Sequence, residues 1–475
     1  MLSIPAPIAT KKLVARGVGV LSPAVTPETQ TQGAQAQPPI PAPRAEGAAT
    51  VAWTGSTYFA EGLPWSVLHQ IASEFFTAAG LPPSQVGYTS ALHLTSSLKF
   101  LWSPVVDLFG TLRRWMIATQ ALLGVLIGVL AVLAHDLALG TGEKDTTFIW
   151  VTLIVIGVAS ATHDIACDGY YMDALSKDAQ ARHAGTRVAA FRIAMLVGNS
   201  GLVYLGGRHS WLLGFGLAGG LMLVLAVAHR VLLPPSASER AGRSDAAPVR
   251  SGAERAAHVR ASYLSFLRQD RALLVVLFLL TYKLGDALMF NMSKVMLRDL
   301  GVSTAERGVI NGFGTVASIL GAVLGGAWIA RTSLARAIVP ITILMCATQP
   351  LYLLIAAPSL PMSVGLATAP AYFTGWMAPS LTAITVIMIV EQLCGGMAVA
   401  AQMVFLMRRC HPDHKAAHFA FGTAIYAASQ MVTGTYSGWV YQAQGPLVYF
   451  ALACVACIPC LLLVPFIPTD GSRAR

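Results

Sequence analysis

FIWVTLIVIGVASATHDIACDGYYMDAL, residues 148–175, is the stretch whose reading decides the fold. Its first ten residues carry no charge. The run exceeds the roughly 20 apolar residues that cross the hydrocarbon core of a bilayer. Yet Asp164, Asp168 and Asp173 lie inside it or at its end. A charge at the bilayer centre costs about 2.5–3.5 kcal/mol on insertion scales, so such side chains turn toward a protein interior and find partners there. Asp164 and Asp168 are four residues apart, about 40° on a helix, on the side that also carries Gly157, Ser160, Ala161 and Tyr171. Asp173 points the other way. The stretch reads as a membrane helix with an acidic inner face.

The rest of the chain repeats the pattern. Of 475 residues, 55% are hydrophobic and 11% charged, against about 25% charged in soluble proteins. Mean hydropathy is +0.62. Apolar runs recur near 51–73, 85–107, 114–135, 147–174, 186–206, 210–233, 270–294, 305–330, 337–357, 380–406, 416–438 and 444–467. A β-barrel would show short alternating segments instead. The expected fold is an all-α membrane protein with twelve transmembrane helices in two six-helix bundles. Its parts are a disordered cytoplasmic tail (1–48), the first bundle (49–233), a basic Pro/Ser/Ala-rich linker (234–269), the second bundle (270–467) and a short tail (468–475). The start of the chain lacks the pattern of a cleaved signal peptide. Short basic turns, SPVVDLFGTLRRW and AWIARTSLARA, follow the second run of each half and suggest a structural repeat. Two-half transporters hold substrate near the midplane between such repeats.

The net charge of +10 does not point to nucleic acid. With both termini cytoplasmic, Lys and Arg collect on that side, at Arg113–Arg114, Lys177, Arg182, Arg187, the linker, Arg331, Arg336, Arg408 and Arg409. Lys144, Arg208, Lys294, Arg298 and Arg307 fall outside, and only Lys99, Arg192 and Lys283 fall within spans. This is the positive-inside pattern of a multi-pass membrane protein with both termini cytoplasmic.

Several motifs are discounted. GFGLAG (Gly214–Gly219) matches a dinucleotide fingerprint, but it lies inside an apolar helix, where glycine serves close packing. CVACIPC (Cys454–Cys460) has no fourth ligand nearby. HPDH (411–414), followed by His418, reads as a solvated turn. No metal site, no disulfide framework and no catalytic constellation is expected, so the chain is not read as an enzyme.

The intramembrane charges carry the functional expectation. At about 1.5 Å of rise per residue, Asp168 and Arg192 come out roughly 9 Å deep, Lys99 roughly 12 Å, and Glu61 and Asp164 roughly 15 Å. The expected pairs are Asp168–Arg192 and Asp173–Arg187, with Lys99 bridging Glu61 or Asp164. Lys283 and Asp286 share a helical face near the level of Glu391. Glu61, Lys99, Asp164, Asp168, Arg192, Lys283, Asp286 and Glu391 form the expected substrate and proton pathway. Asp164 and Glu391, without an obvious permanent partner, are the expected proton carriers. Tyr58, Trp65, Trp102, Tyr171 and Tyr282, with Tyr170 nearby, are candidates to stack on a sugar ring.

GLPWSV (62–67), LKFLWSPVVD (98–107), RRWMIATQ (113–120), ATHDIACDGYYMDAL (161–175), YKLGDAL (282–288) and EQLCGGMAVAAQMVFLM (391–407) resemble the muropeptide permease family. This is the AmpG-like branch of the major facilitator superfamily. The resemblance spans about 52–467. It implies a proton symporter that imports anhydro-muropeptides, a disaccharide with a short peptide, and needs no cofactor beyond the proton gradient. Its partners are then a glycopeptide-like small molecule, protons and membrane lipid. The family's second-span lysine falls on Lys99, and its fourth-span acids fall on Asp164, Asp168 and Asp173. The seventh-span motif falls on Lys283, Gly285 and Asp286, and the tenth-span acid on Glu391. Asp107, Arg113 and Arg114 fall in the family's gate turn, where Leu108 replaces the usual Arg. His163 stands where Gln is usual beside the first Asp. The alternatives are a membrane enzyme of lipid-linked sugars, a transport-silent sensor, or a carrier of acyl-CoA or peptides.

Overall fold

The structure is a computed structural model that describes residues 47–140, 144–235, 239, 261, 263–357, 380–411 and 415–469. Nearly all of both expected tails, most of the linker and residues 412–414 of HPDH lie outside the described residues.

Helix α1 runs Ala48–Ser66, passes through a π turn at Val67–Ile71 and ends as Ala72–Ala78. Helix α2 begins at Pro83–Tyr88, tightens into 3₁₀ turns at Thr89–Leu92 and Lys99–Leu101 on either side of His93–Leu98, and ends as Ser103–Leu108. Then come α3 (Leu112–Leu139) and α4 (Thr147–Ala174). Helix α5 runs Lys177–Leu196, through a second π turn at Val197–Leu202, to Val203–Arg208. Helix α6 is Trp211–Leu232.

In the second half, α7 is broken between Ala272–Thr281 and Leu284–Asp299. Helix α8 is Thr304–Arg331, and α9 joins Leu334–Thr348 to Leu351–Ala356. Helix α10 is Leu381–Arg409. The last continuous run, Lys415–Val455, breaks at Gly445, whose φ of 77° no residue with a Cβ adopts readily, just before Pro446. Helices α11 (415–444) and α12 (446–466) are therefore two rods.

Among the described residues, nine helical stretches are long and apolar enough to cross a membrane by length and composition. One of these, Phe421–Phe466, contains both α11 and α12. Helices α1 and α2, richer in polar groups, complete six rods in each half.

Local chemistry sets the helix starts. Thr111, Ser176, Ser210, Ser303, Ser333 and Ser380 each accept a backbone N–H with their side-chain oxygen. Each so satisfies a donor that a helix start leaves unpaired. Ser303 and Glu306 close a full capping box. Large apolar side chains point outward, as at Val125, Val129 and Val132 of α3 and Val224, Val227 and Val231 of α6. In water that would be a liability; against lipid it is the expected surface.

Small residues let the rods approach. A Cβ on Gly219 would lie 2.8 Å from the Gly124 carbonyl oxygen, and one on Gly325 would lie 2.8 Å from Met397 Cα. GFGLAG is thus a contact face between α6 and its neighbours α3 and α5. All seven cysteines are free.

Two boundaries differ from expectation. Helix α5 begins nine residues before the expected 186, because Ser176 caps it. The end of the expected linker also belongs to the second bundle. Residues 263–267 are helical, Phe266 is buried among Val275, Phe278 and Phe405, and Tyr263 stacks on Phe421 at 4.9 Å. His418, expected in a solvated turn, is fully buried and bonds Ser265 and Gln269.

The halves are joined most closely at one end. There Lys294 donates to Ser73, Arg298 donates to the carbonyls of Thr77 and Leu81, and Trp439 donates to Tyr88. Backbones meet as well: a Cβ on Gly87 would lie 2.9 Å from the Gly434 oxygen, and one on Gly308 would lie 2.7 Å from the Tyr204 nitrogen. We call this the sealed end. The basic turns lie at the opposite end.

Candidate functional site

Between the halves lies a cavity of about 1000 Å³. It runs from Glu74 and Leu297 near the sealed end to Tyr263, Phe419 and Phe421 toward the other. Lys99, Asp168, Arg192, Lys283 and Asp286 line it. Glu61, Asp164 and Glu391 stand behind this wall, each beside a lining charge.

The first cluster comes from α1, α2, α4 and α5. Carboxylate oxygens of Glu61, Asp164 and Asp168 all lie within 4.8 Å of one another. Lys99 is ion-paired with Asp164. Arg187 Nη2 is 2.7 Å from Asp168 Oδ1, and the Tyr58 hydroxyl donates to the same oxygen at 2.7 Å. The Arg187 guanidinium sits over the Tyr58 ring at 4.4 Å, and Tyr171 meets Tyr58 edge-on. Glu61 Oε2 is buried with no hydrogen-bond partner among the described residues.

The pairing differs from expectation: Arg187, not Arg192, holds Asp168. The cause is the early start of α5. Arg187 is ten residues into the helix, about 15 Å from its start, rather than at its first turn. Nor is Asp164 without a partner, since Lys99 reaches it. Arg192 is left on the cavity wall, and no ion pair joins it to an acid among the described residues.

The second cluster comes from α7, α9 and α10. Lys283, at the break in α7, is 2.9 Å from Asp286. Glu391 is buried and accepts from Gln392 at 2.8 Å and from the Tyr352 hydroxyl at 3.4 Å. Gly395 makes room for all three: a Cβ there would lie 3.2 Å from Asp286 Oδ1, 3.8 Å from Glu391 Oε1 and 3.9 Å from Lys283 Nζ. Each cluster has one carboxylate more than its paired cations.

Of the aromatic candidates, only Trp65 lines the cavity. Tyr58 and Tyr171 pack around Arg187, and Tyr170 bonds the Pro234 carbonyl. Trp102 donates to Thr162, and Tyr282 is core beside Phe278. His163 also turns away from the cavity. It bonds Gln120, which bonds His229, which bonds Ser56, tying α4, α3, α6 and α1 together.

In the expected gate turn, Arg113 donates to the Arg230 carbonyl at 2.8 Å. It thereby satisfies a free carbonyl at the end of α6, within its own half. Arg114 is exposed, and its backbone N–H goes to the Thr111 cap. The Asp107 side chain lies outside what is described.

Sequence reasoning missed a buried ion pair between the halves. Glu74 of α1 accepts from Arg307 Nε at 3.0 Å and from Asn311 at 3.0 Å, both on α8. Asn311 also reaches Asn199 of α5 at 3.4 Å. The Glu74 and Arg307 side chains are only 3% and 2% exposed. The one legible signal was an acid immediately after an apolar run.

Residues 54–369 match the family model for the Major Facilitator Superfamily. The chain is 30% identical over 417 residues to the anhydromuropeptide permease of Escherichia coli (strain K12), covering 86% of this chain and 77% of that protein. Its fold is similar to the crystal structure of the D-xylose-proton symporter, with a TM-score of 0.59 at 12% identity over 88% of this chain and 97% of that one. It is also similar to the nucleoside transporter NupG, with a TM-score of 0.55 at 12% identity over 88% and 100%.

Proposed function

The chain belongs to the anhydromuropeptide permease family of the major facilitator superfamily, and from that premise we propose that it imports peptidoglycan-derived muropeptides, or a related anionic solute, across the inner membrane by proton-coupled alternating access. The observation that carries this is the cavity between the halves, closed at one end, with Arg192 on its wall and no acid paired to it among the described residues. A guanidinium in that position suits a substrate carboxylate. The volume is at the upper end of the range for small-molecule sites and suits a glycopeptide.

With the basic turns cytoplasmic, the sealed end faces the periplasm and the conformation is open inward. In each half, one carboxylate exceeds the local cations, and a proton neutralises the excess. Glu61 or Asp164 in the first half and Glu391 in the second are the groups assigned to this. Asp168 and Asp286, on the wall and already paired, sense the substrate's charge. Membership of a permease family also sets aside the enzyme alternative.

Uptake of a labelled muropeptide into proteoliposomes tests the proposal. An inside-alkaline pH gradient should drive accumulation, and a protonophore should abolish it. No uptake, or uptake indifferent to the gradient, would count against it.

A further inference from the structure

His69 and Gln70, in the π turn Val67–Ile71 of α1, lie on the cavity wall. Turns of this type, in which one residue is inserted and the helix face is re-aimed, recur at functional sites. His69 lies face to face with His93 of α2, ring centroids 3.7 Å apart and planes within 10°. Trp65 stands at their side, 4.8 Å from His69 and 6.2 Å from His93. His69 is 8% exposed, and neither of its ring nitrogens has a hydrogen-bond partner among the described residues. Leaving such atoms unpaired is unfavourable. They are enclosed in this conformation, and because both rings line the cavity, a rotation of the His69 ring would present them to a group bound there.

We propose that the His69–His93 stack and Trp65 form the subsite for the carbohydrate part of the substrate, an inference that rests on the glycopeptide reading above. A neutral imidazole offers one donor and one acceptor. Two rings at this separation repel if both are charged, so the pair does not present a double cation to an anion. A carboxylate, which only accepts, is better served by the guanidinium of Arg192. Hydroxyl and N-acetyl groups on a pyranose supply donor and acceptor together, and the ring's apolar face packs on Trp65. The substrate then lies with its sugar against α1 and α2 and its acidic end toward Arg192, facing Tyr426 of α11.

The test is competition against labelled muropeptide uptake in proteoliposomes, with two probes: an N-acetylated disaccharide without peptide, and the peptide without sugar. His69→Phe keeps a flat ring for the stack and removes both nitrogens. It should raise the half-inhibitory concentration of the disaccharide about tenfold and leave that of the peptide within about twofold. His69→Asn, which restores a donor and an acceptor, should recover part of the loss, and it carries the test if the Phe variant does not fold. Unchanged disaccharide competition, or an equal loss for both probes, overturns the subsite. If the wild type takes up no muropeptide, the transport reading falls separately. Binding of the disaccharide to the purified protein then still decides the subsite. A melting shift lost in His69→Phe supports it, and no shift in the wild type overturns it.

Discussion

Arg187 and Arg192 lie five residues apart on one helix and stand in different surroundings. Arg187 is bound to Asp168 and roofed over Tyr58, whereas Arg192 faces the cavity with no acid paired to it among the described residues. Arg192→Gln should therefore weaken apparent substrate affinity about tenfold or more, the worth of a charge-assisted contact, with expression unchanged; KM for uptake is the readout. Glu61→Gln and Asp164→Asn should abolish gradient-driven accumulation while retaining substrate exchange across the membrane, which needs no net proton movement. Loss of both activities would assign these acids to substrate binding instead. The intramembrane charges were legible because each stands out against an apolar background. Their pairing was not, because it turned on where α5 begins, and the signal for that is a single serine cap at Ser176.

At the scale of helices, apolar run length located the rods and could not reveal the π turns in α1 and α5. A π turn leaves composition unchanged and only rotates the remainder of the helix. His69 lies within the first of these turns, on the cavity wall with Trp65 and Ser73 four residues to either side, and Glu74 follows on the same helix. Neutral histidines in apolar runs carry no sequence signal of their own, so nothing in the residue pattern sets His69 and His93 apart. The glycines at the sealed end are similarly silent until two backbones are placed together. Gly308→Val would drive side-chain atoms into the Tyr204 backbone of α5, which cannot yield. We expect the variant to loosen this end, so that a cysteine placed by Tyr88→Cys reacts several times faster with a membrane-impermeant thiol reagent. Unchanged labelling would mean that the contact does not hold the seal.

At the scale of the molecule, the buried Glu74–Arg307 ion pair joins the halves, together with the hydrogen bonds and glycine contacts of the sealed end. Removing one partner of a buried pair costs about 3–5 kcal/mol, and about 5.5 kcal/mol suffices to invert a two-state population from 1:99 to 99:1. Glu74→Ala should accordingly shift the protein toward a form open at the sealed end. Spin labels at the exposed positions Leu139 and Tyr436 would report this as a longer or broader distance, partly restored by the exchange Glu74→Arg with Arg307→Glu. The two-bundle plan was legible in the spacing of apolar runs and in the basic turns. The lock was not, because Glu74 and Arg307 sit at the ends of runs, where a charge reads as solvated. The central claim is that substrate and proton move through this cavity together, and the most direct measurement of it is proton flux driven by substrate alone. In proteoliposomes loaded with a pH-sensitive dye and given no pH gradient, external muropeptide should acidify the lumen, and Asp164→Asn should abolish the signal. Muropeptide entry without any change in internal pH would contradict the account.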